Sequence, residues 1–328
     1  MTDKSHTETM DRVAIVGSGL IGSSWAMLFA AAGYNVRLYD VEPKQIQNAL
    51  SNIKSQLEHL QEIGLLRGHL TVDQQLKAIE GTNDFNYCVK DAVYIQECVP
   101  EKLELKRSVH NKIDAIMKTD AIVASSASTI VPSDISCNMK NRNRFIVVHP
   151  TNPPFYAPLV ELAPSPWADP DLLSETTAVM KKLGQVPVTV KKEILGFVLN
   201  RIQYALLREC FSLIREDVCS VEDLDLAMSA GLGRRYAFCG PFETAYLNAG
   251  PNGMLDWGRK YGNDIYRVCQ SFGGPEPLKG PVIEKIQREL VERIPLNTLD
   301  QRRKWRDARL SALARLKSSL ESNDKKQN

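Results

Sequence analysis

The chain has no surplus of charge of one sign: 41 Lys and Arg stand against 39 Asp and Glu, for a formal net charge of +2. This argues against a nucleic-acid-binding surface and against an acidic tail. The basic run Arg302-Arg303-Lys304 reads as a solvated helix face. A long apolar run is also missing. The longest, roughly residues 20–32, is broken by Gly22, Ser23 and Ser24, and it falls short of the ~20 residues a membrane span needs. Residues 1–10 are polar and lack the apolar centre of a secretory signal. Cysteine is sparse and scattered: the seven, at 88, 98, 137, 210, 219, 239 and 269, form no CxxC pair. With no HExxH, no Cys/His cluster and no carboxylate cage, no metal is expected. These absences leave reduced thiols in a cytoplasmic chain without nucleic-acid or membrane partners.

What the 328 residues do contain, at 43% hydrophobic, is core material for about two domains of ~100–200 residues each. Short apolar runs predict strands over 12–16, 34–39, 92–96, 121–125, 145–148 and 186–190. Between them, helices are predicted over 23–32, 44–63, 103–117 and 170–183. Strands alternating with helices imply an α/β fold, doubly wound around a mainly parallel sheet. After residue 190 strand signals fade, and helices are predicted over 196–215, 221–228, 243–248, 281–294 and 300–319. The expected organisation is a tail over 1–10, an α/β domain over 11–193, an all-helical C-terminal domain over 194–318, and a frayed tail over 319–328. The helical domain is expected to bury part of its apolar surface against a second copy of the chain.

The first predicted strand runs straight into Gly17-Ser18-Gly19-Leu20-Ile21-Gly22, which opens a helix. A bare GxGxxG is weak evidence. Here it joins a strand to a helix, and Asp40 ends the next strand about twenty residues on, which is the full dinucleotide-binding context of a Rossmann-type domain. Gly17 permits the tight turn. Gly19, without a Cβ, lets a pyrophosphate approach the backbone, and Gly22 lets the helix pack closely. The N–H groups at Leu20 and Ile21 offer the positive end of the helix to the phosphates. The Asp40 carboxylate can bind ribose hydroxyls and repels a 2′-phosphate, so the expected cofactor is NAD. The alternative is a glycine turn in an ordinary α/β protein, with Asp40 a surface carboxylate.

His59, His69 and His110 sit in polar sequence, where exposed positions explain them; His6 lies in the tail. His149 differs, because it ends a predicted strand before Pro150-Thr151-Asn152-Pro153-Pro154, and open α/β sheets bind ligands beyond the strands' carboxyl ends. Twelve residues later Glu161 stands among aliphatics in Leu159-Val160-Glu161-Leu162, where a carboxylate needs a partner. Spacing alone leaves two readings open: a base with its orienting acid, or a strand-end His on a proline and an unrelated ion pair. The first suits alcohol oxidation, in which a His near neutral pKa takes the hydroxyl proton while a carboxylate fixes its tautomer.

At Val13-Ala14-Ile15-Val16-Gly17-Ser18-Gly19, Ile95-Gln96-Glu97-Cys98-Val99-Pro100-Glu101, His149 to Pro154, Leu159 to Leu162 and Gly196-Phe197-Val198-Leu199-Asn200-Arg201, the chain resembles the 3-hydroxyacyl-CoA dehydrogenase family. Gly231 to Phe238 is similar to the family's lambda-crystallin branch, the branch of L-gulonate 3-dehydrogenase, and so is the run after His149. In that run the acyl-CoA enzymes carry a His-Phe-Phe-Asn-Pro type of sequence. The resemblance implies His149 as base and Glu161 as its orienting acid. It implies Ser128, twenty-one residues before the histidine, as a donor to the reacting oxygen, and Asn200 as a group that either holds the same oxygen or orders the site. It also implies cofactor contacts from Glu101 and Lys106. For Arg235 the expectation is a bidentate clamp on a substrate carboxylate, against the alternative of a surface arginine at a helix corner. The implied activity is NAD-dependent oxidation of the 3-hydroxyl of a small hydroxy acid such as L-gulonate, by a homodimer joined through the helical domain. The alternatives are a 3-hydroxyacyl-CoA dehydrogenase and an NAD-binding structural protein without turnover.

Overall fold

Val13-Ala14-Ile15-Val16 has no polar side chain to turn to water, and it forms the centre of a sheet covered on both sides. The computed structural model describes residues 11–327, so the tail expected over 1–10 lies outside the described residues. The elements run β1 (Arg12–Val16), α1 (Leu20–Ala31), β2 (Asn35–Tyr39), α2 (Pro43–Glu62), α3 (Val72–Lys77), β3 (Ile79–Thr82), α4 (Phe85–Val89), β4 (Tyr94–Glu97), α5 (Leu103–Asp114), β5 (Ile122–Ser125), α6 (Pro132–Ser136), β6 (Phe145–Pro150), β7 (Leu159–Pro164), α7 (Leu172–Lys182) and β8 (Val186–Thr189). The sheet order is β3-β2-β1-β4-β5-β6-β7-β8. All neighbours are parallel except β6 and β7.

The chain leaves β1 toward β2 and β3, then crosses back to lay β4 on the other side of β1. The carboxyl ends of β1 and β4 therefore flank the point where the winding reverses, which is where such sheets bind ligands. Alternation along β1 sends Val13 and Ile15 to one core and Ala14 and Val16 to the other. The first core is filled by α1, whose sequence LIGSSWAMLFAA is apolar or small all round and accordingly buried from Gly22 to Ala31. The second holds Val123, Phe145 and Phe197. Truncating such a side chain to Ala typically costs about 2–5 kcal/mol.

Two strands, β3 and β7, go beyond those expected from the sequence. The predicted helix over 196–215 begins late, as α8 (Leu199–Arg215), because Gly196 and Phe197 both take positive φ, +77° and +50°. Beyond it lie α9 (Val221–Leu226), a π-helical turn (Ala227–Leu232), α10 (Gly233–Tyr236), α11 (Pro241–Leu247), α12 (Met254–Gln270), α13 (Pro281–Arg293) and α14 (Leu299–Gln327). Helix α12 is also additional, and α14 carries helix through residues 319–327, the stretch expected to fray. The described residues form two compact units, 11–201 with 307–327, and 202–306. In the second unit, ion pairs tie α13 to α9 through Arg293, Glu222 and Asp225, and Lys285 to Asp217. Among its described residues only Ile214 and Val221 are buried hydrophobics. No helix among the described residues is long and apolar enough to cross a membrane.

Candidate active site

The glycine loop follows β1 directly. Gly17 has φ +106°, and a Cβ there would stand 2.9 Å from the Cys98 carbonyl at the end of β4. A Cβ on Gly22 would meet the Gly17 carbonyl oxygen at 1.8 Å, so the helix can approach the loop only without one. A Cβ on Gly19 meets nothing within 4 Å. The surface over the start of α1 is thus open, as a bound pyrophosphate requires. The first bond of α1 runs from the Ser23 N–H to the Gly19 carbonyl, so the N–H groups of Leu20, Ile21 and Gly22 have no partner in the helix. Asp40 is drawn to this loop: its Oδ2 accepts from the Ser18 N–H at 2.9 Å and the Ser18 hydroxyl at 2.8 Å. Ser18 escaped the sequence reading. Its hydroxyl fixes Asp40 while leaving the carboxylate acceptor capacity for ribose hydroxyls. These residues fit NAD: Gly17 to Gly22 would hold its pyrophosphate and Asp40 its ribose. Cys98, beside the loop, is no nucleophile, because burial pushes its thiol up to about 12.

Beyond β4 and β5 in the same sheet, β6 and β7 pair antiparallel with His149 directly opposite Glu161. Opposite residues share a face, and the two side chains meet: His149 Nδ1 lies 2.8 Å from Glu161 Oε2, both groups buried. The other oxygen of Glu161 accepts the N–H groups of Val198 at 2.7 Å and Leu199 at 2.8 Å, where α8 begins. Burial alone would raise the Glu161 pKa. The bonds from His149 and from these N–H groups overcome it and hold the carboxyl below its ordinary value. An ionised carboxylate only accepts, so His149 carries its proton on Nδ1 and presents the Nε2 lone pair. Nε2 makes no hydrogen bond among the described residues. The turn feeding α8 is strained: Phe197, fully buried with its ring 5.8 Å from the imidazole, keeps φ +50°, and such a non-glycine conformation costs about 1–3 kcal/mol. That turn is what aims two N–H groups at Glu161.

A third group surrounds Ser128. Glu101 Oε1 accepts from the backbone N–H of Ser128 (2.8 Å), Thr129 (2.8 Å) and Ile130 (3.4 Å) and from the hydroxyls of Ser128 (3.3 Å) and Thr129 (3.1 Å). Asn200, second residue of α8, donates its amide to the Ser128 carbonyl at 2.8 Å. The structure thus brings Asn200 to Ser128, as expected, and sets Glu101, expected at the cofactor, against the Ser128 loop. Burial raises the Glu101 pKa, but the Thr129 N–H, the Lys106 charge and the neighbouring N–H groups outweigh it and lower the pKa.

Lys106 departs from its expected place on the cofactor. Its side chain is 1% exposed and paired with Glu97 Oε1 at 2.9 Å. Its remaining reach goes to the Val99 carbonyl at 3.2 Å and Glu101 Oε2 at 3.5 Å. All three N–H donors of the ammonium are spent inside the protein. His110, expected to be exposed, is fully buried edge-on to Phe145. Its Nδ1 donates to the Lys106 carbonyl at 2.8 Å, and its Nε2 makes no hydrogen bond among the described residues, with Glu97 Oε2 3.8 Å away. Lys106, His110 and Ile113 form the buried face of α5; their spacing was the available signal, masked by two polar side chains. His59 and His69 are exposed as expected. Arg235 lies on α10 in the helical unit, exposed, and neither it nor Arg234 forms an ion pair among the described residues.

Burial dominates the environment of His110 and pushes its pKa down. The folded state therefore binds this proton less readily than the unfolded chain. The resulting stability is complete above the ordinary value near ~6.5 and is lost as pH falls through the lowered one. His110→Leu removes that penalty. Its Tm relative to wild type is expected to rise as melts are taken from pH 8 down to pH 5; a gap independent of pH would show that His110 is not the linked group.

Comparison with known proteins agrees with this architecture. Residues 12–194 match the 3-hydroxyacyl-CoA dehydrogenase NAD binding domain, and residues 196–273 match the C-terminal domain of the same enzymes. The chain is 46% identical to lambda-crystallin of Oryctolagus cuniculus over 94% of its own length and 97% of that protein. It is 31% identical to an L-carnitine dehydrogenase of Oceanobacillus iheyensis over 87% of this chain and 92% of the relative. Among solved structures, an NAD+-dependent 5-formyl-3-hydroxy-2-methylpyridine 4-carboxylic acid 5-dehydrogenase superposes with a TM-score of 0.75 at 28% identity, covering 94% of this chain and 98% of that one. The chain belongs to the 3-hydroxyacyl-CoA dehydrogenase family of NAD-dependent oxidoreductases.

Proposed function

We propose that this chain oxidises the 3-hydroxyl of a small free hydroxy acid, L-gulonate above all, with His149 as general base. The observation that carries the reading is the buried His149–Glu161 bond of 2.8 Å, which leaves Nε2 free. His149 Nε2 takes the proton from the substrate hydroxyl, and Glu161 offsets the charge that develops on the ring. Ser128 and Asn200 hold the same oxygen: the Ser128 hydroxyl spends only a long 3.3 Å bond on Glu101, and Asn200 has a second amide N–H to give. When bound, NAD accepts the hydride from the carbinol carbon. From L-gulonate the product is 3-dehydro-L-gulonate, a β-keto acid. The relatives support a free acid, since carnitine, like gulonate, is a 3-hydroxy carboxylate. The test follows NADH formation at 340 nm with L-gulonate, L-3-hydroxybutyrate, L-carnitine and 3-hydroxybutyryl-CoA. Preference for the free acids supports the proposal. Preference for the thioester moves the chain to fatty-acyl substrates, and no turnover with NAD still bound favours a structural role.

Arg235 is the proposed carboxylate clamp. A guanidinium with no ion-pair partner among the described residues is available for bidentate binding, and Arg235→Met is expected to raise KM for a free acid about 10- to 100-fold, as loss of a charge-assisted pair of roughly 1.5–3 kcal/mol would. Unchanged KM would remove it from the site. A second copy of the chain is the proposed partner of the helical unit, which exposes Phe242 by 81%, Leu247 by 68%, Leu255 by 68% and Tyr266 by 66% while burying almost no apolar side chain. Sedimentation is expected to give twice the mass of the chain, and a monomer at micromolar concentration would contradict this.

A further inference from the structure

Glu97 closes β4 with its side chain fully buried, beside the reversal point of the sheet. Its Oε1 accepts the Val99 N–H at 2.6 Å and the Lys106 ammonium at 2.9 Å, and its Oε2 accepts the Ser125 hydroxyl at 2.6 Å and Lys106 at 3.2 Å. Within hydrogen-bond distance it meets donors alone, as a carboxylate should. A lysine and a glutamate this deeply buried are a poor source of stability, because stripping both charges of water offsets most of their attraction. What the pair does provide is a fixed direction for the one cation, and that cation has a second anion in reach, Glu101. Glu101 divides its oxygens: Oε2 faces Lys106, and Oε1 sits in the N–H groups of residues 128–130.

We infer that Glu97 is a positioning residue, which through Lys106 and Glu101 sets the place of the Ser128 hydroxyl and of the Ser128 carbonyl that receives Asn200. This rests on the reading above, that Ser128 and Asn200 attend the reacting oxygen. With Glu97 present, Lys106 is neutralised from below and only steadies Glu101. Without that charge, a buried ammonium has Glu101 as its remaining anion. It draws the carboxylate inward, away from three backbone N–H groups. The loop carrying Ser128 then loses the acceptor that orders it, and the damage appears in the reaction rather than at the glycine loop and Asp40, which share no bond with this chain of contacts.

The test is Glu97→Gln, which keeps the shape and removes the charge, read by amide hydrogen exchange and by kinetics. Exchange across residues 128–130 is expected to quicken about tenfold. The kcat is expected to fall about 10- to 100-fold, the range for a reacting group displaced by a fraction of an ångström to an ångström, while NAD affinity, from quenching of Trp fluorescence, stays near wild type. Unchanged exchange at 128–130 in the folded variant overturns the inference, as does a loss of NAD affinity equal to the loss of kcat. If Glu97→Gln does not fold, Glu101→Gln decides, since Lys106 keeps Glu97 and no buried charge is stranded. The same amides must loosen there, and their unchanged protection overturns the inference. Quicker exchange with undiminished kcat would uphold the clamp and instead remove Ser128 from the reaction.

Discussion

Replacing His149 with Gln is expected to lower kcat by about 10²–10⁴-fold, the usual worth of a positioned general base. Gln suits the test because its amide can still donate to Glu161 Oε2, the acceptor that His149 Nδ1 engages at 2.8 Å. The buried carboxylate keeps a partner, and so do the N–H groups of Val198 and Leu199 on its other oxygen. What the amide cannot do is take a proton at neutral pH. NAD affinity is expected to hold, because Gly17 to Gly22 and Asp40 lie on β1, α1 and the end of β2, with β4 and β5 between them and β6. Steady-state NADH formation with a free 3-hydroxy acid, beside NAD titration, separates the two effects. A variant that keeps wild-type kcat would strike His149 from the chemistry. Equal loss of NAD binding and turnover would mean a disturbed fold.

How far the sequence reveals this site depends on the sequence distance across which each contact is made. The glycine loop and Asp40 are legible because strand, turn, helix and acid follow one another within a single βαβ unit. The His149–Glu161 pair is half legible. Both residues stand out, but the strand that joins them, β7, does not, since Leu-Val-Glu-Leu is too short to distinguish from loop among so many prolines. Once β7 is antiparallel to β6 the register decides the pairing. The ion network of β4 and α5 is hidden differently. Lys106 and His110 occupy the core-facing stripe of α5, where an apolar pattern would have declared the buried face, and their polarity reads as solvent exposure. Glu97, the last residue of Tyr-Ile-Gln-Glu, is equally disguised. A carboxylate at the inner end of a central strand is informative only when its cation, nine residues on, is known to turn back toward it. Helix α12 is obscured for a local reason: Gly258 and Gly262 interrupt it, and glycine costs about 1 kcal/mol in a helix interior.

Glu161→Gln is expected to be nearly as damaging as loss of the base itself, for a reason that lies in hydrogen-bond direction. The oxygen of the introduced amide can still accept the N–H groups of Val198 and Leu199 at the start of α8, so it stays on that side. The NH₂ group is then left facing His149 Nδ1. Two donors cannot share a bond, so the imidazole moves its proton to Nε2, and the nitrogen that should receive the substrate proton is already occupied. A tautomer reversal of the same kind, produced by an Asp→Asn change in a serine-protease triad, costs about 10⁴ in kcat. A loss of about 10³–10⁴ is expected here on the same grounds, with KM little changed. Stability responds separately. The Glu161 carboxyl is held below its ordinary value, so its contribution to folding is complete above about pH 4.3, where a free Glu titrates, and is lost as pH falls through the lowered one. The part of the Tm gap between wild type and Glu161→Gln that this carboxylate supplies should therefore close below about pH 4.3. Near-normal kcat in the variant would mean that the carboxylate serves the fold alone, and that His149 finds its tautomer without it. A large fall in kcat, together with a gap that closes only in acid, assigns both duties to the one residue: Oε2 orders the base, and Oε1 anchors the start of α8.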